Sequence, residues 1–150
     1  MPQSLHCNYG HLIFSTKNRE PMISGEVEQR MYEYLGGIVR GAGGTLIEIN
    51  GMPDHVHLLV CESKSVSDQD FIGRLKGDSS RWMNLTFEKD PRFQWQAGYG
   101  WFSVSPGKVE IARNYIRNQK EHHSEVSFQE EFREFLRRYE VDYDERYVWD

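Results

Sequence analysis

The sequence predicts an α+β fold in which the elements run β-α-β-β-α-β, followed by a further helix. Three observations carry this. Four short segments rich in β-branched and aromatic residues have the make-up of strands. Longer segments with apolar residues at helical spacing separate the first strand from the second, and the third from the fourth. A Gly-Met-Pro-Asp sequence joins the second and third strands directly, as in a hairpin. Together these give the ferredoxin-like arrangement, an antiparallel sheet covered by helices, with a C-terminal helical extension. Such a fold serves many activities and assigns none by itself.

The first strand is Asn8 to Ser15 (NYGHLIFS), followed by a turn at KNREP. A helix from about Gly25 to Arg40 places Val27, Met31, Tyr34, Leu35 and Ile38 on one face, and the GAGG at 41–44 stops it. Thr45–Asn50 (TLIEIN) and His55–Cys61 (HVHLLVC) follow as strands around the Gly51-Met52-Pro53-Asp54 turn. The second helix runs from about Ser67 to Phe87, with Ser67 or Asp68 as cap and Phe71, Leu75 and Trp82 inward. DPRFQWQAG, 90–98, reads as a loop, and Tyr99–Ser105 (YGWFSVS) as an aromatic fourth strand. Ser105-Pro106 then opens a third helix, with Ser105 as N-cap and Pro106 at the first helical position. Residues 1–124 form the main unit. Residues 125–150 add a helix and tail to it, with Phe128, Phe132, Phe135 and Leu136 as an apolar stripe.

The chain has 150 residues, enough to bury a single core without disulfide or metal staples. Two separated cysteines, Cys7 and Cys61, make neither a disulfide framework nor a CxxC knuckle, which fits a reducing, cytoplasmic setting. No apolar run approaches the ~18 residues of a membrane span, and the N-terminus lacks a signal-peptide pattern. The net charge of −5 argues against a generally basic nucleic-acid protein. Its distribution is uneven, however. Residues 1–70 carry 5 basic and 9 acidic groups (net −4), residues 71–120 carry 9 and 4 (net +5), and residues 121–150 carry 4 and 10 (net −6). Attraction follows local potential, screened over roughly 8–10 Å. A basic middle can therefore meet a polyanion, although solvated helix faces give the same pattern.

The sharpest chemical feature is Asp54-His55-Val56-His57-Leu58. Side chains alternate along a strand, so His55 and His57 share one face while Val56 takes the other. Two imidazoles so placed can ligate one divalent metal; they can equally be strand histidines hydrogen-bonded to neighbours. On the third helix, Val109, Ala112 and Ile116 form the buried stripe. Tyr115 and Gln119, four residues apart, are neighbours on one flank of it. Arg113, Arg117 and Lys120 lie on the other flank, a basic ridge suited to phosphates. Taken singly, Tyr115 reads as a boundary core tyrosine, and the arginines as solubilising charges.

In combination, these residues resemble the single-tyrosine HUH transposases, which move the smallest bacterial insertion sequences and have REP-associated relatives. The matching segments are HLIFSTKNREPMI, MPDHVHLLV with His55-Val56-His57, LKGDSSRW at 75–82, WQAGYGWFSVS at 95–105 and YIRNQKEHH at 115–123. The tail SFQEEFREFLRRYEVDYDERYVW is also similar, so the resemblance spans nearly the whole chain in order. It implies a catalytic domain over 1–124. His55, His57 and Gln119 would be ligands of a divalent metal, Mg²⁺ or Mn²⁺, and Tyr115 the nucleophile. It further implies cleavage and rejoining of single-stranded DNA at subterminal hairpins through a covalent 5′-phosphotyrosine. The family's homodimers, often with composite active sites completed in trans, are implied as well. The acidic balance of the chain departs from what a DNA transposase leads one to expect.

Phosphate contacts from Arg74, Lys76 and Arg81 on the second helix, and from Arg113, Arg117 and Lys120 on the third, complete the expected DNA interface. Phe93, Trp95, Tyr99 and Trp101 can stack bases or pack the core. The aromatic fourth strand can pair with its twin in a dimer. The competing expectation is a domesticated DNA-binding or nicking protein that keeps this fold without transposing. A two-histidine phosphodiesterase would need a second HxT-like motif, which the sequence does not contain.

Overall fold

The computed structural model describes residues 2–89 and 91–150. Four strands, β1 (Tyr9–Ser15), β2 (Thr45–Met52), β3 (His55–Cys61) and β4 (Gly100–Val104), form one antiparallel sheet in the order β2-β3-β1-β4. The first strand in the chain is therefore central. The helices are α1 (Glu26–Gly41), α2 (Asp68–Phe87), α3 (Val109–Arg117), α4 (Gln119–His122) and α5 (Phe128–Arg138). This is the predicted ferredoxin-like order with helices added at its C-terminal end.

Alternation along the central strands creates two unlike faces. Leu12 and Phe14 of β1, with Val56, Leu58 and Val60 of β3, join Met31, Leu35 and Val39 of α1 and Phe71, Ile72 and Leu75 of α2 in the main core. Phe93 and Trp95 belong to this core, edge-on to one another at 4.7 Å, and the Trp95 Nε1 donates to Ser79 Oγ at 2.9 Å. Of the two roles open to these aromatics, packing is the one they take. The opposite sheet face carries His11, Ile13, His55, His57 and Leu59. The helices α3 to α5 cover it: Leu59 meets Val104 and Ile116, while Ile13 and Phe102 meet Phe128, Phe132, Phe135 and Leu136.

Local sequence explains the element ends. Ser67 caps α2 by accepting from the Asp70 amide at 3.2 Å, and Ser127 caps α5 through the Glu130 amide at 3.2 Å. Gly43, at φ +85, ends α1 in a conformation that glycine adopts without steric cost. The hairpin is tighter than the four-residue turn expected. Met52 pairs with His55, leaving Pro53 and Asp54 as the loop. Their carbonyls are fixed from outside, by the Ile23 amide at 2.9 Å and the Thr16 amide at 2.8 Å.

The third helix also differs from expectation. Residues 106–108 form a 3₁₀ turn before α3, and Ser105 makes no side-chain cap bond. Pro106 does occupy the first turn. Asn118, at φ −94 and ψ 18, then breaks the helix after Arg117. An asparagine competes with helical backbone bonds, which is why such a residue sits at a helix end rather than inside. The Asn50 side chain donates to the Arg117 carbonyl at 3.0 Å, satisfying one of the acceptors freed there. The loop expected over 90–98 begins at Asp90, which lies outside the described residues; Trp95 within it bridges Thr16.

Candidate active site

The covered sheet face holds a cluster of imidazoles. Each strand histidine presents Nε2 inward and has Nδ1 occupied from behind. His55 Nδ1 lies 2.7 Å from Asp54 Oδ1, and His57 Nδ1 lies 2.7 Å from His11 Nε2. The outer partners fix both rings with the same nitrogen facing the site, as the outer partners of metal-bound histidines do. His11 reaches His57 because β1 runs beside β3, with Ile13 directly opposite His57 and His11 on the same face two residues along.

The break at Asn118 turns α4 so that the Gln119 side chain is fully buried against this cluster. Its Oε1 lies 3.3 Å from His55 Nε2. The remaining members come from the C-terminal extension. Glu131 of α5, only 3% exposed, places Oε1 at 2.8 Å from His57 Nε2, 3.5 Å from His55 Nε2 and 3.0 Å from His123 Nε2. Its Oε2 accepts from Gln119 Nε2 at 3.0 Å and from the Tyr115 hydroxyl. The nucleophile expected from the sequence and the histidine pair therefore meet on one carboxylate, within a single chain.

Charge and burial set the protonation tendencies. Burial works against a charged Glu131, but the facing histidines outweigh it and hold the carboxyl well below the usual range. Burial lowers His57, offset in part by Glu131, and drives His11 well below an ordinary histidine. For His123, burial is outweighed by Glu131, and the net effect is upward. Burial, followed by the Glu131 charge, raises the Tyr115 hydroxyl above an ordinary phenol.

The donor set fits a divalent metal. One ligand atom each from His55, His57, His123 and Glu131 lies within 4.8 Å of the others. His123 supplies an independent observation. Its Nδ1 faces the Val126 carbonyl, while its buried Nε2 has no hydrogen-bond partner despite pointing at Glu131. A lone pair and a carboxylate aimed at one another are reconciled by a proton or by a cation between them.

Of the site residues expected from sequence, His55, His57, Gln119 and Tyr115 come together. The basic residues do not form a free ridge. Arg113 and Arg117 both engage Glu48, at 3.2 and 2.7 Å, and Lys120 pairs with Glu28 at 2.8 Å. Lys76 is buried and donates to the carbonyls of Ala97 and Gly98 at 3.1 and 2.6 Å. Arg74 is exposed beside Asp78 at 3.7 Å, and Arg81 lines an open hollow with Lys89 and Arg92. Sequence reasoning missed His11, His123 and Glu131. Glu131 had a readable signal, since it falls inside the apolar stripe of Phe128, Phe132 and Phe135, where a charged residue needs a buried partner. His123 ends the YIRNQKEHH segment, where nothing in the local pattern points it at the sheet.

The ferredoxin-like sheet, with a histidine cluster and a tyrosine on its second face, places the chain among α+β proteins that carry their polar cluster under the C-terminal helices. Within that class, the chain belongs to the IS200-like transposase family, whose model matches residues 4–119. It is 31% identical over 117 residues to the ISDra2 transposase TnpA of Deinococcus radiodurans, covering 73% of this chain and 81% of that protein. It is 28% identical over 121 residues to the transposase for insertion sequence element IS200 of Salmonella typhimurium, covering 77% and 78%. A crystal structure of a Deinococcus radiodurans R1 protein assigned as a transposase superposes with a TM-score of 0.64 at 29% identity, over 79% of this chain and 98% of that one. A REP-associated tyrosine transposase bound to a REP hairpin shares the fold, with a TM-score of 0.62 at 11% identity over 84% and 76%. Among the described residues, no helix is long and apolar enough to cross a membrane.

Proposed function

We propose that this chain is a DNA transposase that cleaves and rejoins single-stranded DNA, with Tyr115 as the nucleophile. The observation that carries the reading is Glu131, whose two oxygens join the Tyr115 hydroxyl to the histidine cluster. His55, His57 and Gln119 would hold a divalent metal, Mg²⁺ or Mn²⁺, with Glu131 and His123 beside them in the same cluster. Imidazole suits transition metals and carboxylate and amide oxygens suit magnesium, so the mixed set accommodates either ion. When bound, such an ion supplies Lewis-acid polarisation of the scissile phosphate.

The chain's own groups do the rest. The Tyr115 oxygen attacks phosphorus, forming the 5′-phosphotyrosine as the bond to the 3′ oxygen breaks, and the freed 3′ oxygen takes a proton. Glu131 Oε2 holds the phenol's hydrogen bond, so it orients that oxygen and is the nearest acceptor for its proton. A phenol is a weak nucleophile at neutral pH but a good leaving group afterwards. A second 3′ hydroxyl can therefore displace it without an external energy source. Phosphate contacts outside the reacting centre fall to Arg74 and Arg81, the two exposed members of the expected α2 set. A homodimer through the outer edge of β4 belongs to the same reading.

The test is incubation with single-stranded, hairpin-bearing DNA and Mg²⁺ or Mn²⁺, read on a denaturing gel. A covalent adduct is expected, and Tyr115→Phe should abolish it. Cleavage by Tyr115→Phe at the parental rate would overturn the assignment. Hairpin binding without any adduct would instead identify a domesticated DNA-binding protein.

A further inference from the structure

Tyr115 borders two openings of opposite character. One is a groove of about 480 Å³ between α3 and α5, with Tyr115 and His11 among its lining residues. Its walls are partly apolar, with Ile111 61% exposed and Tyr139 43% exposed. Lys108 stands on one wall and Arg138 on the other. Among the described residues Lys108 has no ion pair, and Arg138 has only an exposed pairing with Glu134 at 3.2 Å. Exposed pairs of that kind are worth little and exchange readily for other anions. The second opening, about 420 Å³, is lined by Asn118, His122 and Val126 together with the exposed carboxylates Glu121 and Glu125.

We propose that the substrate strand reaches Tyr115 through the groove between α3 and α5, with Lys108 and Arg138 gripping phosphates and Ile111 and Tyr139 contacting bases. The inference rests on the single-stranded DNA reading above and adds to it the side of approach and four binding residues. Charge decides between the openings. A strand laid past Glu121 and Glu125 would bring its phosphates against two carboxylates, while the other groove offers two cations on facing walls. Apolar surface between cations is the composition that single-strand binding needs, since bases stack or pack while phosphates are neutralised. The groove volume lies within the roughly 300–1,000 Å³ typical of pockets for small organic ligands, so it holds a short stretch of strand rather than a duplex. Tyr139 is also positioned firmly, since its hydroxyl donates to the Ser103 carbonyl at 2.9 Å and its ring lies 4.8 Å from Phe102.

The salt dependence of binding tests this directly. In the Tyr115→Phe background, affinity for a labelled hairpin with a single-stranded extension is measured across a salt series. Lys108→Ala and Arg138→Ala should each weaken binding several-fold and each flatten the slope of log K against log salt by about 0.7, the contribution of one phosphate contact on a single strand. Both residues are exposed, so neither change threatens folding. A photoreactive side chain at Ile111 should crosslink to the DNA, whereas one at Val126 should not. Unchanged slopes in both variants, or crosslinking at Val126 in place of Ile111, would overturn the proposal. The wild-type adduct assay separates this from failure of the underlying reading. An adduct with unchanged slopes removes the groove and leaves the transposase, while no adduct on any single-stranded substrate removes the functional reading itself.

Discussion

Replacing His11 by Phe isolates the part that the first strand plays at the site. His11 is 3% exposed and packs edge-on against Phe135 at 5.0 Å, a contact that a phenyl ring can keep. What the substitution removes is the Nε2 that lies 2.7 Å from His57 Nδ1. If His57 gives its Nε2 lone pair to a metal, its proton must sit on Nδ1 and needs an acceptor. Burial keeps His11 neutral, so its Nε2 can be that acceptor. Loss of such an outer partner weakens metal binding by about 10–100-fold, equivalent to about 1.4–2.8 kcal/mol. The assay is calorimetric titration of Mn²⁺ into wild type and His11→Phe, beside urea melts of both metal-free proteins. Because a buried ring nitrogen of His57 is left without its partner, the melt should also show a loss of about 1–3 kcal/mol. His11→Gln, which restores an amide acceptor, should recover part of the affinity. A folded His11→Phe protein with Kd within twofold of wild type would refute the reasoning.

Three further outcomes are expected. Gly51→Ala should weaken both folding and metal binding, because the added Cβ would lie 2.2 Å from the His55 carbonyl oxygen and 2.9 Å from Val56 Cα, so backbone beside the ligand must move. Overpacking of this kind costs about 1–3 kcal/mol, measurable by denaturant melts. Phe132→Ala should cost about 3–5 kcal/mol, since the ring is buried between the sheet and α5, and hydrogen exchange should show α5 opening first. Burial lowers Lys76 to about 8; between there and the usual 10.5 the unfolded chain binds more protons, so stability should rise with pH in that window. Discounted for the solvent that reaches the ammonium, the rise is about 1–2 kcal/mol relative to Lys76→Met, read from urea melts at pH 8 and 10.

The sheet and its site were legible to different degrees. Strand alternation sufficed to put His55 and His57 on one face, a local relation. Helical spacing made Tyr115 and Gln119 neighbours, but the helix breaks between them at Asn118 and they meet on Glu131. The same alternation put Leu12 and Phe14 opposite His11, although nothing local tied His11 to a strand 46 residues away. The basic flank of α3 shows the converse limit. Arg113 and Arg117 do lie together, but the bulge in β2 near Leu46 and Glu48 brings Glu48 beneath them, which a one-dimensional pattern does not display. Glu131 required knowing where an amphipathic helix docks, and the apolar stripe states only that it docks somewhere.

The place of β1 in the sheet also has a consequence during synthesis. Its neighbours are β3, complete at residue 61, and β4, which ends at residue 104. The carboxylate at 131 that links phenol and imidazoles arrives later still, on a helix ending at 138. At roughly 5–20 residues per second, seconds pass between the appearance of the two strand histidines and that of the helix that completes their surroundings. A nascent chain thus carries the histidine pair well before Glu131 arrives to hold the Tyr115 hydroxyl. A helix made after the whole sheet closes over the histidine-bearing face.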